Sequence, residues 1–275
     1  LMHNDEITVV CPTYNSSHCI DRAIETILSQ EDTPNEVIFS DDGSKDETVS
    51  IIEKNRSKFE KLNIDLIILQ NIHKGPGFAR NQGILSATKT WIAFLDSDDE
   101  WAVDKIKNIN QVISKKNTET NCILHWESYI RKNGQSIILK HGGNYISTKN
   151  ISNQLYTRNF FSTSAIVCRK DIIAKCGYFD ETLPNGQDYE LWLRMSPLIR
   201  LTVIPHILGS YYEEESSITA RPYYKRCISN LRIVWRHKDK GSTGLLILKI
   251  FRILISKQWY YTFVNLLMGR YRHSG

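Results

Sequence analysis

Trp91-Ile92-Ala93-Phe94-Leu95-Asp96-Ser97-Asp98-Asp99 decides the fold. An apolar run without alternation, ending abruptly in carboxylates, reads as a strand buried on both faces whose end reaches the surface. Such strands belong to parallel sheets covered by helices, where ligands bind beyond the carboxyl ends of the strands. Working back towards residue 1, the same unit recurs. Ile7 to Val10 is a short apolar run stopped by Pro12, Thr13, Tyr14 and Asn15. Ile20, Ala23, Ile24, Ile27 and Leu28 then have the spacing of one helix face. Val37 to Phe39 ends in Asp41-Asp42-Gly43, and Ser44 with Glu47 predicts a capping box for a helix through Ile51 and Ile52. Ile64 to Leu69 and Phe78 to Ala87 supply a third strand and a third helix. The polar clusters after the first, second and fourth strands therefore share one sheet edge.

Working forward, the pattern loosens from about Asn121 into shorter strands, Ile123 to His125, Ile137 to Leu139 and Ser164 to Cys168. A helix opens near Asp188 and runs through Leu191, Trp192 and Met195. After Arg221 the chain reads as helical and basic, a C-terminal extension.

Composition sets outer limits. A 275-residue chain with 41% hydrophobic and 24% charged residues can bury one substantial core, with room for an appendage. A net charge of +5, not gathered on one element, argues against a nucleic-acid partner. Six cysteines without a C-x-x-C pair fit neither a zinc site nor a disulfide framework, and read as reduced thiols of a cytoplasmic protein. Leu1 to Glu6 is polar, so no signal peptide is expected, and no apolar run approaches the roughly 20 residues of a spanning helix.

Three acidic clusters carry the chemistry. Asp96 and Asp98, one residue apart at a strand end, can face one point, and hard divalent cations such as Mg²⁺ or Mn²⁺ take oxygen ligands while leaving positions for phosphate oxygens. A cation there would offset charge developing on a diphosphate leaving group; a solvated acidic turn is the alternative. Asp41 and Asp42 suit a turn ahead of a helix, and equally a carboxylate accepting the N3–H of uracil. Asp188 either caps its helix or serves as a general base on an attacking hydroxyl.

Taken in order, ITVVCPTYNSSHCIDRAIETILSQ, VIFSDDGSKDET, GPGFARNQGI, WIAFLDSDDEW and CGYFDETLPNGQDYELWLR resemble the family-2 glycosyltransferases of the GT-A fold, across about residues 6 to 220. The resemblance implies an α/β, mostly parallel Rossmann-type sheet flanked by helices, with a C-terminal helical extension. It divides the chain into a catalytic domain at 1–220, with a nucleotide-binding half at about 6–100 and an acceptor-binding half at about 101–220, and a basic helical extension at 221–275. Position by position, Pro12, Thr13, Tyr14 and Asn15 match the loop around the nucleoside, Asp42 the base-reading carboxylate and Arg80 the arginine near the donor. Asp96 and Ser97 fall at the donor, Asp98 and Asp96 at the metal, and Asp188 at the base of inverting members. The implied partners are a nucleotide-sugar donor, UDP before dTDP, a glycan or lipid-linked acceptor, and Mn²⁺ or Mg²⁺ as cofactor. One departure is that Tyr211 to Ile218 holds three glutamates, Glu213 to Glu215, and no histidine. Glu214 or Glu215 is then a candidate oxygen ligand, or the stretch is unrelated to the metal.

Residues 243–270 combine Lys249, Arg252, Lys257 and Arg270 with a wide apolar face and interfacial aromatics such as Trp259 and Tyr260. That composition fits a helix lying on the inner face of the cell membrane, or one docked on protein. Two rivals remain. Gly75-Pro76-Gly77-Phe78-Ala79-Arg80 fails the dinucleotide fingerprint, because Arg80 replaces the third glycine and the segment follows the third strand. A non-catalytic binder that keeps the fold would have no need of a base at Asp188.

Overall fold

The computed structural model describes residues 6–115, 119–213 and 223–254. Its core is a sheet with strand order β3-β2-β1-β4-β8-β6-β9-β5, with β7 paired to β6. The strands are β1 (Ile7–Thr13), β2 (Glu36–Asp41), β3 (Asp65–Gln70), β4 (Trp91–Phe94), β5 (Glu100–Trp101), β6 (Cys122–Ile130), β7 (Ser136–Leu139), β8 (Ile166–Arg169) and β9 (Leu201–Tyr212). The helices are α1 (Ile20–Leu28), α2 (Thr48–Lys54), α3 (Arg56–Lys61), α4 (Pro76–Ser86), α5 (Lys105–Ile113), α6 (Ile151–Thr157), α7 (Lys170–Lys175), α8 (Gln187–Met195), α9 (Tyr223–Arg236) and α10 (Thr243–Leu254).

From β3 to β4 every pairing is parallel. β8 then runs antiparallel to β4 and β6, and only β9 restores a parallel pairing, with β6. Successive side chains of a strand point to opposite faces, so neighbours in sequence enter different cores. Val10, Ile38, Ile92 and Phe94 meet Trp192 and Phe179 on one face. Val9, Val37, Phe39 and Ala93 meet Ile24, Ile27 and Ile106 on the other. Both faces being dry is why these strands read as unbroken apolar runs. The register aligns Thr13 with Asp41 and Val10 with Phe94, which brings the turns after β1, β2 and β4 to one edge.

Some local expectations change. Ser44 and Glu47 form no capping box: α2 begins at Thr48 without a side-chain cap, and Ser44 Oγ bonds Asp41 instead. Ser164 lies in a 3-10 turn, Thr163–Ala165, ahead of β8. Helix α9 is packed into the same core as the sheet, with Ile233 and Val234 buried. Helix α10 sets Leu245, Leu246, Ile250 and Ile253 against that core. Lys249 lies over the rings of Tyr156 and Tyr189, at 5.0 and 5.8 Å. The opposite face of α10 exposes Ile247, Leu248, Phe251 and Leu254. Residues 255–270 of the proposed membrane segment, and Glu214 and Glu215, lie outside the described residues. Among the described residues no helix is long and apolar enough to cross a membrane.

Candidate active site at the carboxyl edge of the sheet

The loop after β1 is tied to the loop after β2. Asn15, in the left-handed region at φ 48°, accepts from Lys45 N at 2.9 Å through its side chain, and its own N–H donates to Ser44 Oγ at 2.8 Å. Pro12 and Thr13 are buried in β1, while Tyr14 and Asn15 are exposed. Asp41 and Asp42, adjacent in sequence, do different work. Asp41 accepts from Thr13 Oγ1 at 3.0 Å and from the N–H groups of Gly43 and Ser44, closing its own turn. Asp42 turns to the loop after β3: its carboxylate accepts from Lys74 N at 2.9 Å and Gly75 N at 2.8 Å, and its backbone carbonyl is hydrogen-bonded to His73 Nδ1 at 3.1 Å, with that nitrogen 2.8 Å from Oδ2. His73 in turn stacks on Tyr14. The sequence reading missed His73, which sits in no motif of its own.

β4 delivers the central cluster. Arg80, almost fully buried on α4, donates from Nη2 to Asp96 Oδ1 at 2.6 Å. Burial works against its positive charge, but Asp96, then Asp188 and Asp98, outweigh burial and raise its pKa. The Asp188 carboxyl, in the first turn of α8, is pushed up by burial, against the Tyr189 N–H and Arg80, with Asp96 adding to the rise. Thus Asp96 and Asp98 of one turn, and Asp188 some ninety residues on, all act electrostatically on one guanidinium. Ser97 Oγ meets Ser16 Oγ at 2.9 Å, joining this turn to the β1 loop, and Arg22 Nη2 donates to the Asp98 carbonyl at 2.8 Å.

Behind the turn lies a buried hub that sequence reasoning also missed. Ser164 Oγ accepts from Asp96 N at 3.1 Å and donates to Asp99 Oδ2, while its carbonyl accepts from Lys105 Nζ at 2.7 Å and Trp101 Nε1 at 3.2 Å. Burial pushes the Asp99 carboxyl up, and Asp96 and Asp98 add to the rise; burial pulls Lys105 down, opposed by Glu127 and Asp99. A lysine at the start of an amphipathic helix looks solvent-exposed in sequence, and only the tertiary packing reveals it inside.

On the far side, Asn81 pins the 176–181 loop by exchanging hydrogen bonds with the Phe179 backbone at 2.9 and 3.0 Å. Gly186 precedes α8 at φ 74°, a left-handed conformation that favours glycine, and a Cβ there would press on the terminal methyl of Ile233 in α9. Glu190, fully buried one turn beyond, receives Arg194 Nη2 at 2.7 Å, Arg236 Nη1 at 3.0 Å and His237 Nε2 at 3.2 Å. Helix α9 is thereby fastened to the helix that carries Asp188.

Whether a divalent cation suits this edge depends on the donors present. Asp96 and Asp98 offer hard carboxylate oxygens, partly exposed, at one turn. Among the described residues no group of three or more protein ligands assembles. Mg²⁺-type sites commonly use only one or two carboxylates, the remaining positions going to substrate phosphates and water, so the donor set fits.

A half-parallel sheet with loop-bound acids at its carboxyl edge is the architecture of the GT-A glycosyltransferases. The chain matches S. aureus TarS residues 1–349 crystallised with UDP-GlcNAc at a TM-score of 0.68, 20% identity, covering 94% of this chain and 79% of that one. It also matches a Pyrobaculum calidifontis mannosyltransferase in complex with GDP-Man and Mn²⁺ at a TM-score of 0.66, 16% identity, covering 98% and 76%. The chain belongs to glycosyl transferase family 2, whose family model matches residues 8–177. Among curated relatives it is similar to the amylovoran biosynthesis glycosyltransferase AmsB of Erwinia amylovora, 29% identical over 77% of this chain and 71% of that one. It is 25% identical to WfgD of Escherichia coli, a UDP-Glc:alpha-D-GlcNAc-diphosphoundecaprenol beta-1,3-glucosyltransferase, over 79% of this chain and 81% of that one. It spans only 31% of an uncharacterized glycosyltransferase of Rickettsia felis, to which it is 30% identical over 71% of its own length.

Proposed function

We propose that this glycosyltransferase moves a sugar from a UDP-sugar to a hydroxyl of a lipid-linked glycan, with inversion at the anomeric carbon. The observation that carries the reading is the 2.6 Å ion pair of Arg80 with Asp96 at the carboxyl edge of the sheet, where the charges of Asp188 and Asp98 also act on that guanidinium. Support for the donor and acceptor classes comes from WfgD, whose name specifies UDP-Glc and a diphosphoundecaprenol-linked sugar.

Pro12, Thr13, Tyr14, Asn15 and Asp42 would hold the nucleoside, and Arg80, Asp96 and Ser97 the donor beyond it. Asp98 with Asp96 would hold Mn²⁺ or Mg²⁺. When bound, such a cation supplies positive charge to a departing diphosphate. Asp188 takes the proton of the acceptor hydroxyl at a carboxylate oxygen as that oxygen forms its bond to the anomeric carbon and the bond to the diphosphate breaks. A raised pKa suits this work, because a base matched to the operating pH transfers protons most effectively. Arg80 holds Asp96 in place, and its charge opposes the rise of the Asp188 pKa. The outward apolar face of α10 would rest on the inner face of the cell membrane, where a lipid-linked acceptor resides.

The test is transfer of labelled sugar from UDP-sugars to undecaprenyl-diphosphate-linked acceptors, with product anomers assigned by NMR. Formation of an inverted glycoside from at least one UDP-sugar supports the reading. Retention of configuration would remove the single-displacement role of Asp188.

A further inference from the structure

Arg22 meets the turn that carries Asp98 with both the edge and the face of one planar group. From the first turn of α1, its Nη2 donates to the Asp98 carbonyl at 2.8 Å, its Nε lies 3.5 Å from Glu100 Oε1, and its Cζ sits 4.1 Å from the centroid of the Tyr212 ring. Tyr212, the last residue of β9, donates from Oη to Glu100 Oε2 at 2.8 Å. Burial and then Glu100 push that hydroxyl up to about 12, so it remains a donor at neutral pH. β5 pairs Glu100 with Ser210 of β9, which sets the turn and the end of β9 side by side. Helix α1, the turn after β4 and the end of β9 thus converge on one guanidinium.

The carbonyl contact is the one that bears on Asp98. Its C=O and the N–H of Asp99 belong to the same planar peptide unit. Arg22 holds one end of that plane, and Asp99 N holds the other by donating to the Asp96 carbonyl at 3.1 Å. A fixed plane restricts where the Cα–Cβ bond of Asp98 can point. A carboxylate presented in one place meets a cation without first paying to be ordered. The ion pair with Glu100 explains little by itself: at 3.5 Å, with side chains 29% and 30% exposed, such a pair contributes little. The carbonyl bond and the stack are what call for arginine, because a lysine ammonium is a point charge with neither plane nor fork.

We propose that Arg22 is a positioning residue for the metal turn: seated on Tyr212, it fixes the peptide plane between Asp98 and Asp99 and so presents the Asp98 carboxylate to a divalent cation. This rests on the reading of Asp98 as a metal ligand given above. Arg22 acts through the backbone of Asp98, as outer groups around a metal orient the ligands that touch it. Its loss therefore changes how much metal the protein requires, and leaves recognition of the nucleotide as it was.

Calorimetric titration of UDP at a series of Mn²⁺ concentrations, into the wild-type protein, Arg22→Lys and Tyr212→Leu, tests the proposal. Arg22→Lys keeps the charge and loses the plane, whereas Tyr212→Leu keeps the arginine and removes its seat. The Mn²⁺ concentration that gives half-maximal UDP binding should rise about tenfold in Arg22→Lys and about threefold in Tyr212→Leu. Raising Mn²⁺ in the same proportion should restore the wild-type affinity for UDP. A lower melting temperature of Arg22→Lys with an unchanged Mn²⁺ requirement would make Arg22 a structural tie and overturn the proposal. A loss of UDP affinity that added Mn²⁺ does not recover would overturn it as well, by tracing the effect to the nucleotide. If UDP binding by the wild type is indifferent to Mn²⁺, the metal reading itself falls and takes this inference with it, an outcome visible without either variant.

Discussion

Two clusters of acidic and basic side chains, both served by α8, are built in opposite ways. At the sheet edge, Asp96, Asp98 and Asp188 gather about Arg80, so carboxylates outnumber the guanidinium among them. At the back of α8, Glu190 alone receives Arg194, Arg236 and His237, with Asp180 sharing Arg236 at 2.7 Å. The carboxyl pKa values diverge accordingly. Asp188 is raised by burial, whereas at Glu190 burial is overcome by hydrogen bonds from His237 and Arg194, and the pKa is lowered. A carboxylate surrounded by its own cations is finished and serves structure; carboxylates left in excess are poised to meet a proton or a cation from outside.

The largest expected effect separates these roles outright. Asp188→Asn should lower turnover about a thousandfold while UDP binding is retained, checked by pairing a transfer assay with calorimetry. In the wild type, activity should be lost as pH falls and Asp188 becomes protonated, with the acid limb above the ordinary aspartate value of 3.8. Loss of UDP binding in Asp188→Asn would place the residue in the donor site instead.

Glu190→Gln should act on stability. Removing the charge from a buried carboxylate that serves two arginines should cost about 3 kcal/mol, read from denaturant midpoints, with the donor KM unchanged. The sign with pH follows from the lowered pKa. Stabilisation by Glu190 is complete above the ordinary glutamate value of 4.5 and lost as pH falls through the depressed folded value. Glu190→Gln should therefore flatten the acid side of the stability profile. An unchanged profile would mean that the α8–α9 clamp carries no net stabilisation.

Ser164→Ala should give the smallest effect and a mixed one. Asp99 loses its donor and Asp96 N its acceptor, at a cost of about 1–3 kcal/mol in stability, and the loosened turn should weaken metal-supported UDP binding several-fold. A purely structural Ser164 would lower the melting temperature and leave the affinity as it was.

The N-terminal half was legible because parallel strands dry on both faces write themselves as unbroken apolar runs. Trp91 to Phe94 and Val37 to Phe39 fall within the observed strands. The turns resisted, because their hydrogen bonds cross between loops. Ser44 bonds Asp41 and Asn15 rather than capping α2, and Asp42 holds the loop at 73–75, some thirty residues on. β9 was hidden by Pro205 and Gly209 within its 12 residues and by a register shift against β6. Lys105 and Ser164 have no local signature at all, since a buried lysine reads like any other until the Ser164 carbonyl is found beneath it. For the site, residue types at strand ends indicated which carboxylates to watch and the family resemblance put Arg80 near the donor, but its ion pair with Asp96 had no local signature.

Titration of UDP into the purified protein, with and without Mn²⁺, and into Asp98→Ala, tests the central claim most directly. The account predicts binding in the micromolar range that depends on the metal and is abolished by the substitution. Binding of equal strength without metal and in Asp98→Ala would contradict it, and would remove Asp98 from the donor site.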